Sequence, residues 1–153
     1  MKKLRIYLDT SVIGGVFDEE FMERTKKLFA EIKEGRYIPC TSVIVSSEIE
    51  KAPDFVISFF NELLPACEVL EIDSNCLSLR DEYLKNNIVS RKYMDDALHV
   101  AIATVSNCDI IVSWNFKHIV HFDKIALYNA VNRINGYKDI FINSPAEVID
   151  YEE

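Results

Sequence analysis

The sequence predicts one α/β domain in which a mostly parallel sheet lies between two layers of helices. Short β-branched runs, beginning with LRIYLD at residues 4–9, alternate with amphipathic segments along the whole chain. Strands and helices that alternate in this order form parallel sheets covered on both faces. The 153 residues suit a single domain, and no linker or repeat divides them, so residues 1–153 are expected to form one unit.

The composition excludes several other classes of protein. With 49% hydrophobic and 27% charged residues, the chain is neither disordered nor a coiled coil. Its 25 acidic and 17 basic residues give a net charge of −8, which excludes a broad basic surface that holds nucleic acid by neutralising phosphates. No apolar run suits a signal sequence or a bilayer span, and the four scattered cysteines lack disulfide or zinc spacing. We therefore expect a cytoplasmic protein that does not associate with membranes.

The first half of the chain predicts two strands and three helices. LRIYLD is a buried strand that ends at a carboxylate, and YIPCTS at 37–42 is a second strand, with Pro39 restricted to its edge or start. Apolar residues at helical spacing predict a helix over 19–34, which Gly35 ends. Two further helices are expected, at 42–50 with Ser42 as its cap and at 53–64.

The second half predicts three more strands and three helices. The segment from Tyr93 to Asn107 is the best-defined helix, because apolar residues occupy most of its sides, as is typical of an enclosed central helix. DIIVS at 109–113 is a short, fully buried strand. The other elements are a strand at 69–72, a helix at 73–87 capped by Asp73 or Ser74, a helix at 124–135 and a strand at 140–144.

Polar side chains collect at the carboxyl ends of these strands, where parallel sheets bind their ligands. Asp9 ends the first strand, and Ser113 and Asn115 end or follow the strand at 109–113. Three helical carboxylates are expected at the same edge: Glu48, Asp95 and Asp96.

A cluster of carboxylates favours a bound cation, because close negative charges repel each other. Oxygen ligands suit Mg²⁺ or Mn²⁺, and such an ion supplies the positive charge that this acidic chain lacks for binding a phosphodiester. The ion also polarises the phosphodiester and lowers the pKa of a bound water. Protonation of some of the carboxylates is the alternative to a bound cation, and metal-assisted phosphodiester hydrolysis is a chemistry that suits an acidic protein of this kind.

Four segments carry a resemblance to a known family. YLDTSVI, SSEI, DDALHVAIA and VSWNFKHI, in this order over nearly the whole chain, resemble the PIN-domain family and most closely the VapC-type toxins of type II toxin–antitoxin pairs. The resemblance implies a PIN-like three-layer α/β/α sandwich that acts as a Mg²⁺- or Mn²⁺-dependent endoribonuclease on RNA. It also implies a small antitoxin protein that blocks the cleft, and a homodimer.

The family's metal ligands can be carried over residue by residue. The aspartate of the first strand matches Asp9, the glutamate after the second strand matches Glu48, and the aspartate that opens the D-A-L helix matches Asp96. The resemblance makes these three the catalytic metal ligands, with Asp95 as a secondary candidate. The family's hydroxyl positions after this aspartate match Thr10 and Ser11. Ser11 and Ser113 would orient carboxylates or bind phosphate.

One position departs from the family pattern. Where the family has Thr-x-Asp after its penultimate buried strand, this chain has Ser113 and Asn115. Asn115 offers a neutral carbonyl oxygen, directly or through water, and removes one negative charge from the cluster. One tightly held ion is then at least as favoured as two. The departure also motivates an alternative function, a catalytically weakened module of the same fold that binds RNA or a protein without cutting.

Several of these side chains also have a purely structural interpretation. Asp9 could serve only as the cap of a following helix, and Asp95 and Asp96 only as first-turn carboxylates that a helix dipole favours. Glu48 could be an ordinary solvated helix residue. His99 shares a helical face with the two aspartates, and we expect it to be a hydrogen-bonded neighbour of the ligands rather than a ligand.

Other side chains near these segments have a weaker claim to function. Arg91 and Lys92 could steer a phosphate backbone or be ordinary surface charges. Trp114 could pack in the core or stack on a base, while His118 and His121 are more simply surface residues than RNA contacts. Three phenylalanines suit either a partner surface or the core: Phe55, Phe59 and Phe60.

Two other kinds of site are excluded. A phosphatase of the haloacid-dehalogenase type needs a second aspartate two residues after the one that ends the first strand, and this chain has Ser11 there. The glycine-rich phosphate loops of nucleotide-binding proteins are missing, because Gly14 and Gly15 are followed by Val16 and Phe17.

Overall fold

A computed structural model describes residues 2–151 and places five parallel strands in one sheet. The strands are β1 Leu4–Leu8, β2 Tyr37–Ser42, β3 Glu68–Leu70, β4 Ile110–Val112 and β5 Phe141–Asn143. The helices are α1 Thr10–Gly15, α2 Met22–Lys33, α3 Val43–Ile49, α4 Asp54–Leu63, α5 Ser74–Lys85, α6 Met94–Val105, α7 Phe122–Ile134 and α8 Pro145–Val148. Short 3₁₀ turns precede β3 and α6, at Leu64–Ala66 and Arg91–Tyr93. The strand order is β3-β2-β1-β4-β5.

Alternate residues of the central strands face two separate apolar cores. Ile6 and Leu8 of β1 face the layer that contains α2 and α8, whereas Tyr7 faces the layer built from α3 to α7. Ile111 of β4 lies on the same side as Tyr7. This alternation follows from the two-residue period of a strand, and both faces are covered by helices. The three-layer α/β/α class predicted from the sequence is confirmed.

The predicted strands and helices are confirmed to within a few residues. Ser42 caps α3, its hydroxyl accepting a hydrogen bond from Val45 N at 3.4 Å, and Asp73 caps α5 by accepting one from Cys76 N at 3.0 Å. Two elements, α1 and α8, were not predicted from the sequence. The α1 segment TSVIGG consists largely of β-branched residues and glycines, which are poor helix formers, and α8 has only four residues, although Ser144 and Glu147 form a capping box at its start.

Pro39 lies inside β2 rather than at its start, which corrects the simplest expectation for proline. It pairs in register with Ile6 of β1. On the other side, β3 pairs with β2 only from Cys40 to Ser42. At Pro39 the strand therefore has a partner on one side only, so a residue without an N–H is tolerated within an inner strand.

The order in which strands are added to the sheet reverses between β1 and β4. The chain passes from β1 to β2 and β3 on one side, and then returns to place β4 and β5 on the other side. Ligands of open parallel sheets bind at such a point, beyond the carboxyl ends of the two strands. Asp9 directly follows β1 and Ser113 directly follows β4. The topology therefore places the first predicted site residues on both sides of this point.

Two further expectations concern membranes and cysteines. None of the helices described between residues 2 and 151 is long and apolar enough to cross a membrane. All four cysteines are free; Cys40, Cys76 and Cys108 are buried, and Cys67 is half-buried.

Candidate functional site

Asp9 is buried at the carboxyl end of β1, and three groups donate hydrogen bonds to it. Its Oδ1 accepts from Ser11 Oγ at 2.6 Å and from Val12 N at 3.3 Å, and its Oδ2 accepts from Ser113 Oγ at 2.5 Å. The bond from Val12 makes Asp9 the cap of α1. Capping uses only one of these three contacts, so it does not by itself explain why two serine hydroxyls converge on this carboxylate.

The same serines join the loop after β1 to the loop after β4. Ser11 Oγ accepts a hydrogen bond from Trp114 N at 2.9 Å, and Ser113 Oγ accepts one from Asn115 N at 2.9 Å. Both hydroxyls therefore fix the carboxylate of Asp9 and the loop that carries Asn115 at once. The structure brings Ser11 and Ser113 together at the predicted position, where they orient a carboxylate.

Glu48 projects from α3 toward His99 of the central helix α6. Glu48 Oε1 accepts a hydrogen bond from His99 Nε2 at 2.6 Å and another from Thr10 Oγ1 at 2.9 Å. The side chain of His99 is only 3% exposed, whereas that of Glu48 is 37% exposed. Glu48 is thus held in place by two donors, and it is not the solvated helix residue of the structural interpretation.

A buried chain of hydrogen bonds continues from His99 into the core. The Tyr7 hydroxyl lies 2.7 Å from His99 Nδ1 and 2.7 Å from Ser42 Oγ. His99 was expected to be a hydrogen-bonded neighbour of the ligands, and the structure places it there. The part that Tyr7 and Ser42 play beside the site was not predicted from the sequence. A tyrosine in a buried strand was the available signal, because a buried hydroxyl requires a partner.

Asp96 and Asn115 meet on the other side of the site. Asp96 is half-buried in the first turn of α6, and Asn115 lies in the loop after β4. Asn115 Oδ1 accepts a hydrogen bond from His118 N at 2.9 Å. Asp95, one residue earlier, is exposed. The structure therefore brings Asp96 and Asn115 together and leaves Asp95 on the surface of the first turn.

Burial controls the protonation of these groups. It raises the pKa of Asp9, against the opposing effects of His99 and the two serine hydroxyls. It also raises the pKa of Asp96, against the opposing effects of the neighbouring Asn115 amide and of His118 and His99. Burial alone would raise the pKa of Glu48, but the hydrogen bonds from His99 and Thr10 and the positive charges of His99 and Lys51 together outweigh burial, and the pKa is lowered.

The charges of three carboxylates act on the pKa of the buried His99 imidazole. Burial alone would lower its pKa, but the hydrogen bond to Glu48 and the charges of Asp9, Glu48 and Asp96 raise it. Three acidic side chains from three separate elements thus act on one buried imidazole. Because a single cation cannot balance three carboxylates, the site has an excess of negative charge.

This donor set fits a hard divalent cation by its chemistry. Carboxylate oxygens and the amide oxygen of Asn115 are the ligand types that Mg²⁺ and Mn²⁺ prefer. Among the hydrogen bonds of the described residues, Glu48 Oε2 takes part in none, so it is free to act as a ligand. Across residues 2–151, no three His, Cys, Asp or Glu side chains are already gathered as a metal site.

Two aromatic side chains of the sequence analysis belong to the core. Trp114 is 8% exposed, stacks on Phe21 with ring centroids 4.3 Å apart, and donates a hydrogen bond from Nε1 to Thr25 Oγ1 at 2.9 Å. These contacts confirm the core position for Trp114 and exclude the alternative in which it stacks on a base. Phe60 is likewise buried, which excludes it from any partner surface.

The two remaining phenylalanines lie in an aromatic cluster near the surface. Phe55 is 56% exposed and Phe59 is partly buried. Both contact Phe17 edge to face, with ring centroids 4.9 Å and 5.9 Å apart. His121 is exposed before α7.

Comparisons with known proteins bear on the fold. A scan of protein-family models and a search of curated proteins both find no match to this chain. Solved structures do match it. A chain of VapBC2 from Rickettsia felis, bound to a DNA fragment from their promoter, has a TM-score of 0.59 at 15% identity and covers 92% of this chain and 98% of its own length.

Two other solved structures contain chains of the same fold. A toxin–antitoxin complex from Klebsiella pneumoniae matches with a TM-score of 0.57 at 13% identity over 78% of this chain and 93% of that chain. FitAcB from Neisseria gonorrhoeae matches with a TM-score of 0.60 at 16% identity over 94% and 99%. At these identities the likeness concerns the fold. The PIN-like three-layer architecture that the sequence motifs implied is the architecture of this chain.

Proposed function

We propose that this chain is a Mg²⁺- or Mn²⁺-dependent endoribonuclease, the toxin of a VapC-type toxin–antitoxin pair. One observation carries the proposal: at the switch point of the sheet, Glu48 is bonded to the buried His99, and the charges of Asp9, Glu48 and Asp96, from three separate elements, all raise the pKa of that imidazole. A structural protein gains nothing from burying acidic groups in excess of its cations. A metal-dependent hydrolase uses such a cluster to hold its ion.

The roles of the side chains follow from their contacts. Asp9, Glu48 and Asp96 would hold the ion, with Asn115 as a neutral oxygen ligand directly or through water. Ser11 and Ser113 keep both oxygens of Asp9 in place. When bound, the ion would polarise the phosphodiester and lower the pKa of a bound water.

His99 and Thr10 position the second carboxylate. Both donate to Oε1 of Glu48, which leaves Oε2 for the ion. The imidazole is nearly fully buried and also bonded to the Tyr7 hydroxyl, so it is a positioning residue rather than a group that touches the substrate.

The partners are proposed from the names of the structural neighbours. One neighbour is described as a toxin–antitoxin complex, and another carries the VapBC name of the pair type that the sequence motifs resemble. A small antitoxin that covers the carboxylate cleft and a homodimer in the cytoplasm, where cysteines stay free, are the corresponding proposals for this chain. Sedimentation of the purified protein tests the dimer.

A second function is favoured by two specific observations. Asn115 stands where the family has an aspartate, and no three acidic side chains among residues 2–151 are already gathered around a metal position. Both fit a module that binds RNA or a protein without cutting it.

Cleavage of a mixed pool of structured RNAs tests the proposal. The protein, purified without antitoxin, is incubated with Mg²⁺ or Mn²⁺ and, in parallel, with EDTA. We expect cleavage that requires the metal and is lost in Asp96→Asn. The matched control is Asp95→Asn, which makes the same change one residue earlier at an exposed position, and it should cut at the wild-type rate.

The outcomes separate the two functions. Cleavage that needs both metal and Asp96 supports the nuclease. If the folded protein cuts no RNA and neither ion raises its melting temperature, the nuclease is overturned in favour of the binding module. Equal loss in Asp95→Asn and Asp96→Asn would show that charge, rather than the position of Asp96, matters.

A further inference from the structure

A basic and aromatic patch lies beside the carboxylates on an otherwise acidic protein. The rings of Tyr93 and His118 stack with centroids 3.9 Å apart and an interplanar angle of 28°. The ammonium groups of Lys92 and Lys117 lie 5.5 Å and 5.9 Å from the centroid of the same Tyr93 ring. Two cations from different parts of the chain thus meet on one tyrosine.

The patch adjoins the candidate metal site through its own residues. His118 N donates a hydrogen bond to Asn115 Oδ1. Burial lowers the pKa of His118, and the negative charge of nearby Asp96 opposes that effect. Tyr93 ends the 3₁₀ turn that leads directly into α6, whose first turn carries Asp96. A phosphate bound by Lys92 and Lys117 would therefore lie next to a phosphate bound at the candidate metal site.

The cations of this patch have no carboxylate partners within the structure. Arg91, Lys92 and Lys117 are exposed, and none forms an ion pair with any carboxylate among residues 2–151. Elsewhere, exposed or half-buried arginines do pair with acids: Arg5, Arg36, Arg80 and Arg133. On a chain with a net charge of −8, three free cations gathered at one place are suited to an anionic ligand.

The patch continues into a polar cleft of about 710 Å³. Arg91 lines this cleft together with Arg80, Lys85, Asn87 and Ser90, and with Asp81, whose carboxylate pairs with Arg80. Arg91 directly precedes Lys92 of the patch, so it connects the patch to the cleft, where Lys85 adds a further positive charge. A single phosphate does not need a surface of this extent, but a chain of phosphates does.

We propose that this surface, the Arg91 track, binds the phosphates of a single-stranded RNA segment that leads away from the bond to be cut. The proposal rests on the proposed function, in which the substrate is RNA. The amide of Asn87 and the hydroxyl of Ser90 line the cleft beside its cations, where they can offer hydrogen bonds to the bases of an unpaired strand. Lys92 and Lys117 bind the phosphates nearest the site, and Arg91 passes the strand into the cleft.

Binding measured without cleavage tests the track. Fluorescence anisotropy in EDTA follows a labelled single-stranded RNA of about twelve nucleotides at several salt concentrations. The double variant Lys92→Ala/Lys117→Ala is compared with the control Lys2→Ala/Lys138→Ala, which removes the same charge. Lys2 and Lys138 precede β1 and β5, so they lie at the amino edge of the sheet, away from the carboxylates. All four lysines are exposed, and circular dichroism checks that the variants stay folded.

We expect the track variant to raise Kd about ten-fold and to reduce the slope of log K against log salt by about 1.4, the value for two phosphate contacts on a single strand. The control variant should change neither. An equal loss in both variants overturns the track, because only net charge would then matter. Unchanged binding in the track variant also overturns it. Duplex RNA that binds as tightly as the single strand overturns the single-strand assignment.

The track and the nuclease fail in different ways. RNA binding that is weakened in Lys92→Ala/Lys117→Ala, together with no cleavage in either Mg²⁺ or Mn²⁺, supports the Arg91 track and contradicts the nuclease. Metal- and Asp96-dependent cleavage, with wild-type binding and wild-type KM in Lys92→Ala/Lys117→Ala, supports the nuclease and overturns the track. In a working enzyme, we expect the track variant to raise KM and leave kcat nearly unchanged.

Discussion

His99 and Glu48 face each other across the candidate site, with Nε2 of the imidazole 2.6 Å from Oε1 of the carboxylate. The opposite ring nitrogen lies 2.7 Å from the hydroxyl of Tyr7. One buried side chain, His99, thus connects strand β1 in the core to the partly exposed carboxylate of the candidate site. Its loss should be felt both in stability and in the position of Glu48.

Replacing His99 should destabilise the protein. His99→Gln removes the donor to Glu48 at its present position and leaves the buried Tyr7 hydroxyl without its second partner. We expect the free energy of unfolding, measured by urea denaturation, to fall by about 1–3 kcal/mol. Tyr7→Phe, which keeps the imidazole and deletes only the hydroxyl, should cost about 1 kcal/mol. Wild-type stability in His99→Gln would show that the chain of hydrogen bonds does not support the fold.

A fourth carboxylate should strengthen the dependence on metal. Asn115→Asp keeps the oxygen that accepts from His118 N and adds a negative charge beside Asp96. The pKa of Asp96 is already raised by burial, so its charged form lowers stability at neutral pH, and stability is regained as the pH falls through the pKa of the folded state. We expect Asn115→Asp to melt a few degrees lower in EDTA, by about 2–4 °C, and to gain more than the wild type from Mn²⁺.

The control for this experiment is Asn61→Asp, an equal change of charge at an exposed position near the end of α4 that leads toward β3. Its melting temperature should respond to Mn²⁺ as that of the wild type does. If Asn115→Asp gains no more from the ion than this control, the metal position does not include residue 115.

Gly15 holds the site together through Trp114. A Cβ at this position would lie 2.9 Å from Trp114 Nε1 and 2.9 Å from Thr25 Oγ1. Gly15→Ala therefore forces the indole to move, and we expect it to cost about 1–3 kcal/mol of stability. Because Trp114 N donates to Ser11 Oγ, the carboxylate of Asp9 should lose part of its support and RNA cleavage should slow.

Gly14 supplies the matched control. A Cβ added there meets no heavy atom within 4 Å, so Gly14→Ala should leave stability unchanged or raise it slightly through helix propensity. Thermal unfolding of the two variants decides the point. Equal destabilisation would assign the effect to α1 itself rather than to the contact with Trp114.

Cys67 should be slow to react although it is only half-buried. Burial raises the pKa of its thiol to about 12, and the reactive thiolate is therefore scarce at neutral pH. In the folded protein, alkylation by iodoacetamide, followed by peptide mapping, should rise about ten-fold per pH unit from about pH 8 to pH 10. In urea the same rate should level off near pH 9. A rate that levels off in the folded protein as well would contradict the raised pKa.

Much of the fold and the site followed from patterns with a direct physical cause. Asp9 at the end of an apolar strand and Asp96 at the start of an apolar helix can be placed at one edge of the sheet, because the carboxyl ends of parallel strands meet there. The motif around Glu48 supplied the third carboxylate. Asn115 was noticed as a departure for the same reason, since its position is fixed by the strand before it.

Other features depend on contacts that no local pattern encodes. The burial of Trp114 against Phe21 and Thr25 joins segments far apart in the chain, and a lone aromatic residue gives no sign of its partner. The link from His99 to Tyr7 depends on the exact packing of α6 on β1. The short helix α1 forms because Asp9 caps it and tertiary contacts hold it, against the low helix propensity of its own residues.

The bond between Ser113 and Asp9 joins two residues 104 positions apart, and the backbone of Ser113 is in turn held by Asn143 of the last strand. A polypeptide still emerging from the ribosome lacks first the serine, then the strand that fixes it. Under the proposed function, the first aspartate is therefore translated long before it can take part in any cut. On that proposal, the messenger being read and the ribosome reading it are not exposed to an assembled site until β5 has been synthesised.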